Sequence, residues 1–164
     1  MASLTRHRLR AVYSSVVDAV LVGGAEAALD LAPRSRERAA VYVGLTAVAA
    51  ADALAPELPT LRRAVRGLPL EPPLPADRTA VLRQGLVCGA WGLLVSIVDG
   101  PAARALRRRG HQRPHLLLGV LAGVATALST LPIWWDRAAA RAAADEASEA
   151  LDRELAELLG QSGA

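Results

Sequence analysis

The chain contains no phenylalanine and no lysine, and aromatic residues make up only 3% of its 164 positions. A core of large aromatic side chains is thereby excluded. So is a nucleic-acid surface, which stacks bases on aromatic rings interleaved with basic residues. The only cysteine, Cys88, removes any disulfide framework or paired-cysteine redox motif. It lies within an apolar run and reads as a small buried apolar residue. Catalytic motifs are missing as well. Val22-Gly23-Gly24 lacks the lysine and hydroxyl residue of a phosphate loop, and Ser14, Ser15, Ser96 and Ser129 have no histidine at a supporting helical offset. His111 and His115 are four apart, but Pro114 interrupts the helix that would align them and no cysteine or carboxylate is expected nearby. The expectation is a protein that is not an enzyme, with no catalytic residues, no metal and no cofactor.

One long stretch lacks charge altogether. Leu116 to Trp135, LLLGVLAGVATALSTLPIWW, runs twenty residues without an ionisable side chain. At about 1.5 Å per residue such a helix matches a hydrocarbon layer of about 30 Å. Arg113 and His115 stand at one edge and Trp134 and Trp135 at the other, where indole rings favour the headgroup layer. The rest of the composition agrees: 52% of residues are hydrophobic, mostly Ala, Leu and Val, and mean hydropathy is positive. Small residues let helices approach closely, which in lipid is the main source of packing energy. All 19 basic residues are arginine, the composition of a GC-rich genome, so the expected location is the cell membrane of a GC-rich bacterium.

These features define an expected fold class: an all-α integral membrane protein, a small bundle of four apolar helices with an amphipathic C-terminal helix outside the membrane. The bundle covers residues 1–135, with helices near 11–32, 39–55, 79–98 and 115–135. Pro33 ends the first helix and Ser35 is placed to cap the second. Six of the ten prolines fall between Pro56 and Arg78, which makes 56–78 the principal linker. Within it Thr60 to Gly67 has the pattern of a two-turn surface helix capped by Thr60, and Leu68 to Pro75 that of an extended polyproline spacer. Asp99-Gly100-Pro101 is expected to close the third helix. An arginine-rich turn, Ala102 to Pro114, follows as a topology anchor. Residues 136–164 form a charged tail in which Leu151, Leu155, Leu158 and Leu159 repeat at helical spacing and Glu149 precedes Arg153 by four.

The first segment is ambiguous. Its basic leader and Ala25-Glu26-Ala27 imitate a cleaved signal over residues 1–27, yet Asp18 interrupts the apolar region. As a helix it gathers Ser14, Ser15, Asp18, Glu26 and Asp30 on little more than half of its surface, with Val12, Val16, Val20 and Ala27 largely on the other side. It either spans with its acids turned inward, the favoured reading, or lies on the surface. Arginine counts leave the choice open: four spans divide the loop arginines nine to eight, whereas three spans plus a surface helix divide them eleven to six. A faint two-fold repeat pairs the first two apolar helices with the last two, since Asp30 and Asp99 close equivalent segments and Arg-rich turns follow both.

Charge is divided along the chain. Residues 1–135 carry 16 arginines and 9 acids, residues 136–164 only 3 arginines and 7 acids. The basic isoelectric point, about 9.9, is therefore a matter of membrane topology rather than of nucleic acid. Ionisable residues in or near the apolar runs are the candidate functional positions: Asp18, Glu26, Asp52, Arg83 and Asp99. A charge at membrane depth costs about 2.5 to 3.5 kcal/mol or more, so each needs a partner or a polar cavity. Gly85 with Gly89, and Gly119 with Gly123, are G-x-x-x-G pairs that allow close packing between the third and fourth helices or between copies of the chain. The expected partners are membrane lipid together with another protein or further copies, and no nucleic acid. Two functions follow: a non-catalytic accessory or scaffold subunit, or a small homo-oligomeric transporter or pore using the intramembrane acids.

Overall fold

The structure, a computed structural model, describes residues 2–69, 72 and 74–161. It is all-helical, without strands among the described residues. Helix α1 spans Ala2–Ala27 and ends in a 3-10 turn, Ala28–Asp30; α2 spans Arg36–Leu54, α3 Leu58–Val65, α4 Pro75–Arg108 and α5 Pro114–Gln161.

The helix ends follow local chemistry. Ser35 accepts a hydrogen bond from the Arg38 N–H at 3.1 Å, the expected cap of α2. Pro75 and Pro114 open α4 and α5, where a missing N–H costs nothing. Gly67 and Gly110 have φ of 67° and 85° and close α3 and α4 in the same way. The N–H of each bonds back to Ala64 and Arg107, and that of the following residue to Arg63 and Leu106, respectively.

Several boundaries differ from the sequence expectation. Helix α4 does not stop at Asp99-Gly100-Pro101 but runs through Pro101 to Arg108. The terminator is Gly110, which supplies the left-handed conformation that proline cannot. Most of the expected arginine turn, 102–108, is therefore helix. Helix α5 likewise passes through Pro132, so the apolar run and the charged tail are one element of 48 residues, about 72 Å long. The basic leader is the first part of α1. Helix α3 starts at Leu58, with Thr60 inside it rather than capping it. Of the expected polyproline spacer, Leu70, Glu71 and Pro73 lie outside the described residues.

Helix α1 packs antiparallel on α5 in the largest interface of the bundle. Gly23 on α1 meets the backbone of Gly119 and Gly123 on α5. A Cβ at Gly123 would come within 2.9 Å of the Ala19 carbonyl oxygen, and one at Gly119 within 3.0 Å of the Ala27 nitrogen. The second G-x-x-x-G pair thus seats α1, not α4, as had been expected from adjacency in the chain. Gly85 and Gly89 have nothing within 4 Å of a Cβ added there. On its other flank α5 packs against α4, where the Trp91 indole N–H donates to Ser129 Oγ at 3.2 Å. Helix α2 leans on α1, with Leu45 against Gly24.

Burial is inverted relative to a water-soluble bundle. On α1, Ser14, Ser15, Asp18 and Glu26 are buried, while Val12, Val16 and Val20 are exposed. Thr126 and Thr130 on α5 are fully buried, while Leu121 and Leu128 between and before them are more than half exposed. No residue of α2 is buried. Hydroxyls along the apolar stretches satisfy themselves on their own helix: Thr46, Ser96, Thr126 and Ser129 each donate to the carbonyl four residues earlier. Four helical segments, Leu4–Asp30, Arg36–Val65, Pro75–Arg108 and Pro114–Gly160, are long and apolar enough to cross a membrane.

The glycine contacts set up a contrast. Gly23→Ala drives a Cβ into the α5 backbone and is expected to lower stability by about 1–3 kcal/mol. Gly85→Ala and Gly89→Ala, in open space on a helix, should be neutral or stabilising by up to about 1 kcal/mol. Thermal unfolding in detergent reads both; destabilisation at Gly85 would place another helix against that face.

Candidate functional site

Three polar clusters lie between the helices, and α1 supplies one acid to each of the two more buried ones. In the first, both carboxylate oxygens of Asp18 are occupied: Gln84 of α4 donates to Oδ1 and the Trp134 indole of α5 to Oδ2, each at 2.8 Å. Trp134 is buried with Ala11, Ala80 and Ala138 in the small apolar core of the bundle, and its ring carries the Arg137 guanidinium 5.1 Å from its centroid. Beside Asp18, Asp52 of α2 pairs with the guanidinium of Arg10, which also donates to the Asp52 carbonyl at 2.7 Å. Ser14 donates to the Asp52 carboxylate at 3.4 Å. Arg10, Asp18, Asp52 and Trp134, with Gln84, Glu57 and Arg137, line a cavity of about 240 Å³.

The second cluster sits toward the α4–α5 turn. His115, one residue into α5, is buried and places Nδ1 3.0 Å from Glu26 Oε1 of α1 and 2.7 Å from Asp99 Oδ1 of α4. Only the contact with Glu26 is aligned as a hydrogen bond; Asp99 Oδ1 is buried with no hydrogen-bond partner among the described residues. Asp30 holds this end in place by accepting from the first-turn N–H groups of His115 and Leu116, at 3.3 and 2.7 Å. A carboxylate from a neighbouring element thus caps α5, satisfying orphan donors at the positive end of its dipole.

A third cluster ties α5 to α4 at the opposite end of the bundle. Asp77 accepts from Arg137 Nε at 2.7 Å and from both Nε and Nη2 of Arg141 at 2.9 and 3.0 Å. The second of these is the two-pronged geometry that makes arginine–carboxylate pairs strong. One turn further, Asp145 meets His7 at 2.8 Å. The stretch 137–145, expected to lie in the tail, therefore belongs to the bundle.

Of the five ionisable candidates, Asp18, Glu26, Asp52 and Asp99 all face other helices, while Arg83 is exposed on α4 outside the clusters. The two carboxylates thought absent around His115 come from helices remote in the chain. Gln84, Arg10 and Asp77 carry no site expectation from the sequence, and Trp134, expected at the headgroup layer, is buried between the helices instead. Gln84 had a usable signal, an amide inside an otherwise apolar helix. In the tail, Arg153 donates to the Glu149 carbonyl at 3.0 Å. No family model, curated protein or solved structure matches the chain.

Removing the Asp18 carboxylate strands a buried indole N–H and a glutamine amide. Asp18→Ala is expected to cost about 1–3 kcal/mol, against about 0.5 kcal/mol or less for Arg83→Ala. Thermal unfolding of both variants in one detergent checks the difference, and equal effects would remove Asp18 from the structural centre of the bundle.

Proposed function

We propose that the chain is an integral membrane protein of four spans, without catalytic activity, that serves as an accessory or scaffold subunit. The inverted burial supports membrane insertion: polar side chains turn in between the helices while many leucines and valines face outward, an arrangement stable in hydrocarbon and costly in water. The observation that carries the subunit reading is the far end of α5. Beyond Asp145 the helix continues for sixteen residues, about 24 Å, and residues 146–160 are all exposed. There Leu151, Leu155 and Leu158 are all more than half exposed on a strongly acidic background. An exposed apolar stripe on such a helix is a surface for another protein.

A second reading, a small homo-oligomeric transporter or pore, is favoured by the cavity beside Asp18 and Asp52, which sets ionisable side chains among mainly apolar walls, is of molecular size and is flanked by segments able to span a membrane. The inward acids of α1 suit either function.

Two measurements test the proposal. With four spans, reporters fused at the N-terminus and inserted in the Arg34–Arg38 turn lie on opposite sides of the membrane; the same side would reduce the chain to three spans. Removal of residues 146–164, which spares every inter-helix contact described above, should release co-purifying subunits from the detergent-extracted particle and leave insertion intact. A particle made of this chain alone would favour the second reading.

A further inference from the structure

We propose that Glu26, Asp99 and His115 form a binding site for one divalent first-row transition-metal ion in the range Mn2+ to Zn2+. The site rests on its own geometry and not on the scaffold reading. Three potential ligand atoms, one from each of α1, α4 and α5, lie within 4.8 Å of one another. Two of their separations, from His115 Nδ1 to the two carboxylates, are 3.0 and 2.7 Å. Ligands at about 2.1 Å from a common metal in cis octahedral positions stand about 3.0 Å apart, so the set has the scale of a coordination shell.

Hydrogen bonding alone does not complete this cluster. A proton on Nδ1 serves Glu26 and leaves Asp99 Oδ1 buried without a donor. With the proton on Nε2, three acceptors converge on one space. A cation at the centre satisfies all three lone pairs at once, and the two carboxylates supply the two negative charges that a divalent ion requires. Placing a buried carboxylate beside another is otherwise costly. One imidazole nitrogen with two carboxylate oxygens is a mixed donor set that suits Mn2+, Fe2+ or Zn2+ better than Mg2+ or Ca2+, which prefer oxygen alone.

The surroundings fit a built site. Glu26 and His115 are nearly inaccessible, with side chains 6% and 10% exposed, whereas Asp99 at 23% opens the cluster on one side. Water or a small ligand could complete the shell there. Asp30 fixes the first turn of α5 through two backbone N–H groups and so orients His115, the supporting role that outer residues play around metal ligands.

The test uses the untagged full chain in detergent, stripped with chelator and exchanged into metal-free buffer. Titration with Mn2+, followed by electron paramagnetic resonance, and with Zn2+, followed by calorimetry, should show one equivalent bound per chain. Glu26→Gln and Asp99→Asn, on different helices, are each expected to weaken binding at least tenfold. His7→Ala, at the only other histidine–carboxylate contact among the described residues, should leave it unchanged. Saturating metal should also raise the Tm of the wild-type chain and not that of the two ligand variants. Absence of stoichiometric binding of both ions, or binding insensitive to Asp99→Asn, overturns the proposal; should Glu26→Gln fail to fold, the half-open Asp99 position decides alone.

Discussion

The close backbone approach of α1 and α5 is the constraint on which the other features depend. Gly23, Gly119 and Gly123 remove the side chains that would hold these helices apart, and main-chain atoms of the two helices come into direct dispersion contact. The same approach brings Asp18 within reach of Trp134 and Glu26 within reach of His115. Both polar clusters therefore inherit their geometry from three glycines that carry no chemistry of their own.

Above and below that seam, polar residues do the work that large apolar residues do in a soluble core. The apolar cluster is small, mainly alanines around one tryptophan. Helix register is fixed instead by directional bonds: Asp18 to α4 and α5, Asp30 to the first turn of α5, Asp77 to two arginines of α5. Each acid is paired with a donor from a different helix, so each also specifies which helices are neighbours. In surroundings of low polarity such bonds discriminate strongly, because a misplaced helix leaves a buried acceptor unmet.

The helical class and the four apolar segments were legible from periodicity and length alone, since a charge-free stretch such as Leu116–Trp135 reports directly on its surroundings. The division of α1 into a polar and a valine face correctly foretold which side is buried. Helix ends were less legible. Pro101 and Pro132 look like terminators in the sequence, but proline removes a single bond from a long helix, and the actual stop at Gly110 depends on a backbone angle. The polar clusters were legible only by halves. The acids stood out as charges in apolar runs, whereas the pairing of those acids with Gln84, Trp134 and His115 rests on contacts between segments 66, 116 and 89 positions apart, which no local pattern records. The glycine pairs show the same limit: the spacing marks a packing face without naming the helix that fills it.

The continuity of α5 has a mechanical consequence. A single α-helix reaches from His115, at one end of the bundle, to the leucine-rich tip about 70 Å away. Its base is held by Asp30 and its middle by Asp77, so the part left to swing is the stretch of about 24 Å beyond Asp145. A bend of about 10° at that point carries the tip through about 4 Å, and the leucine stripe moves as an arm while the polar clusters stay in place.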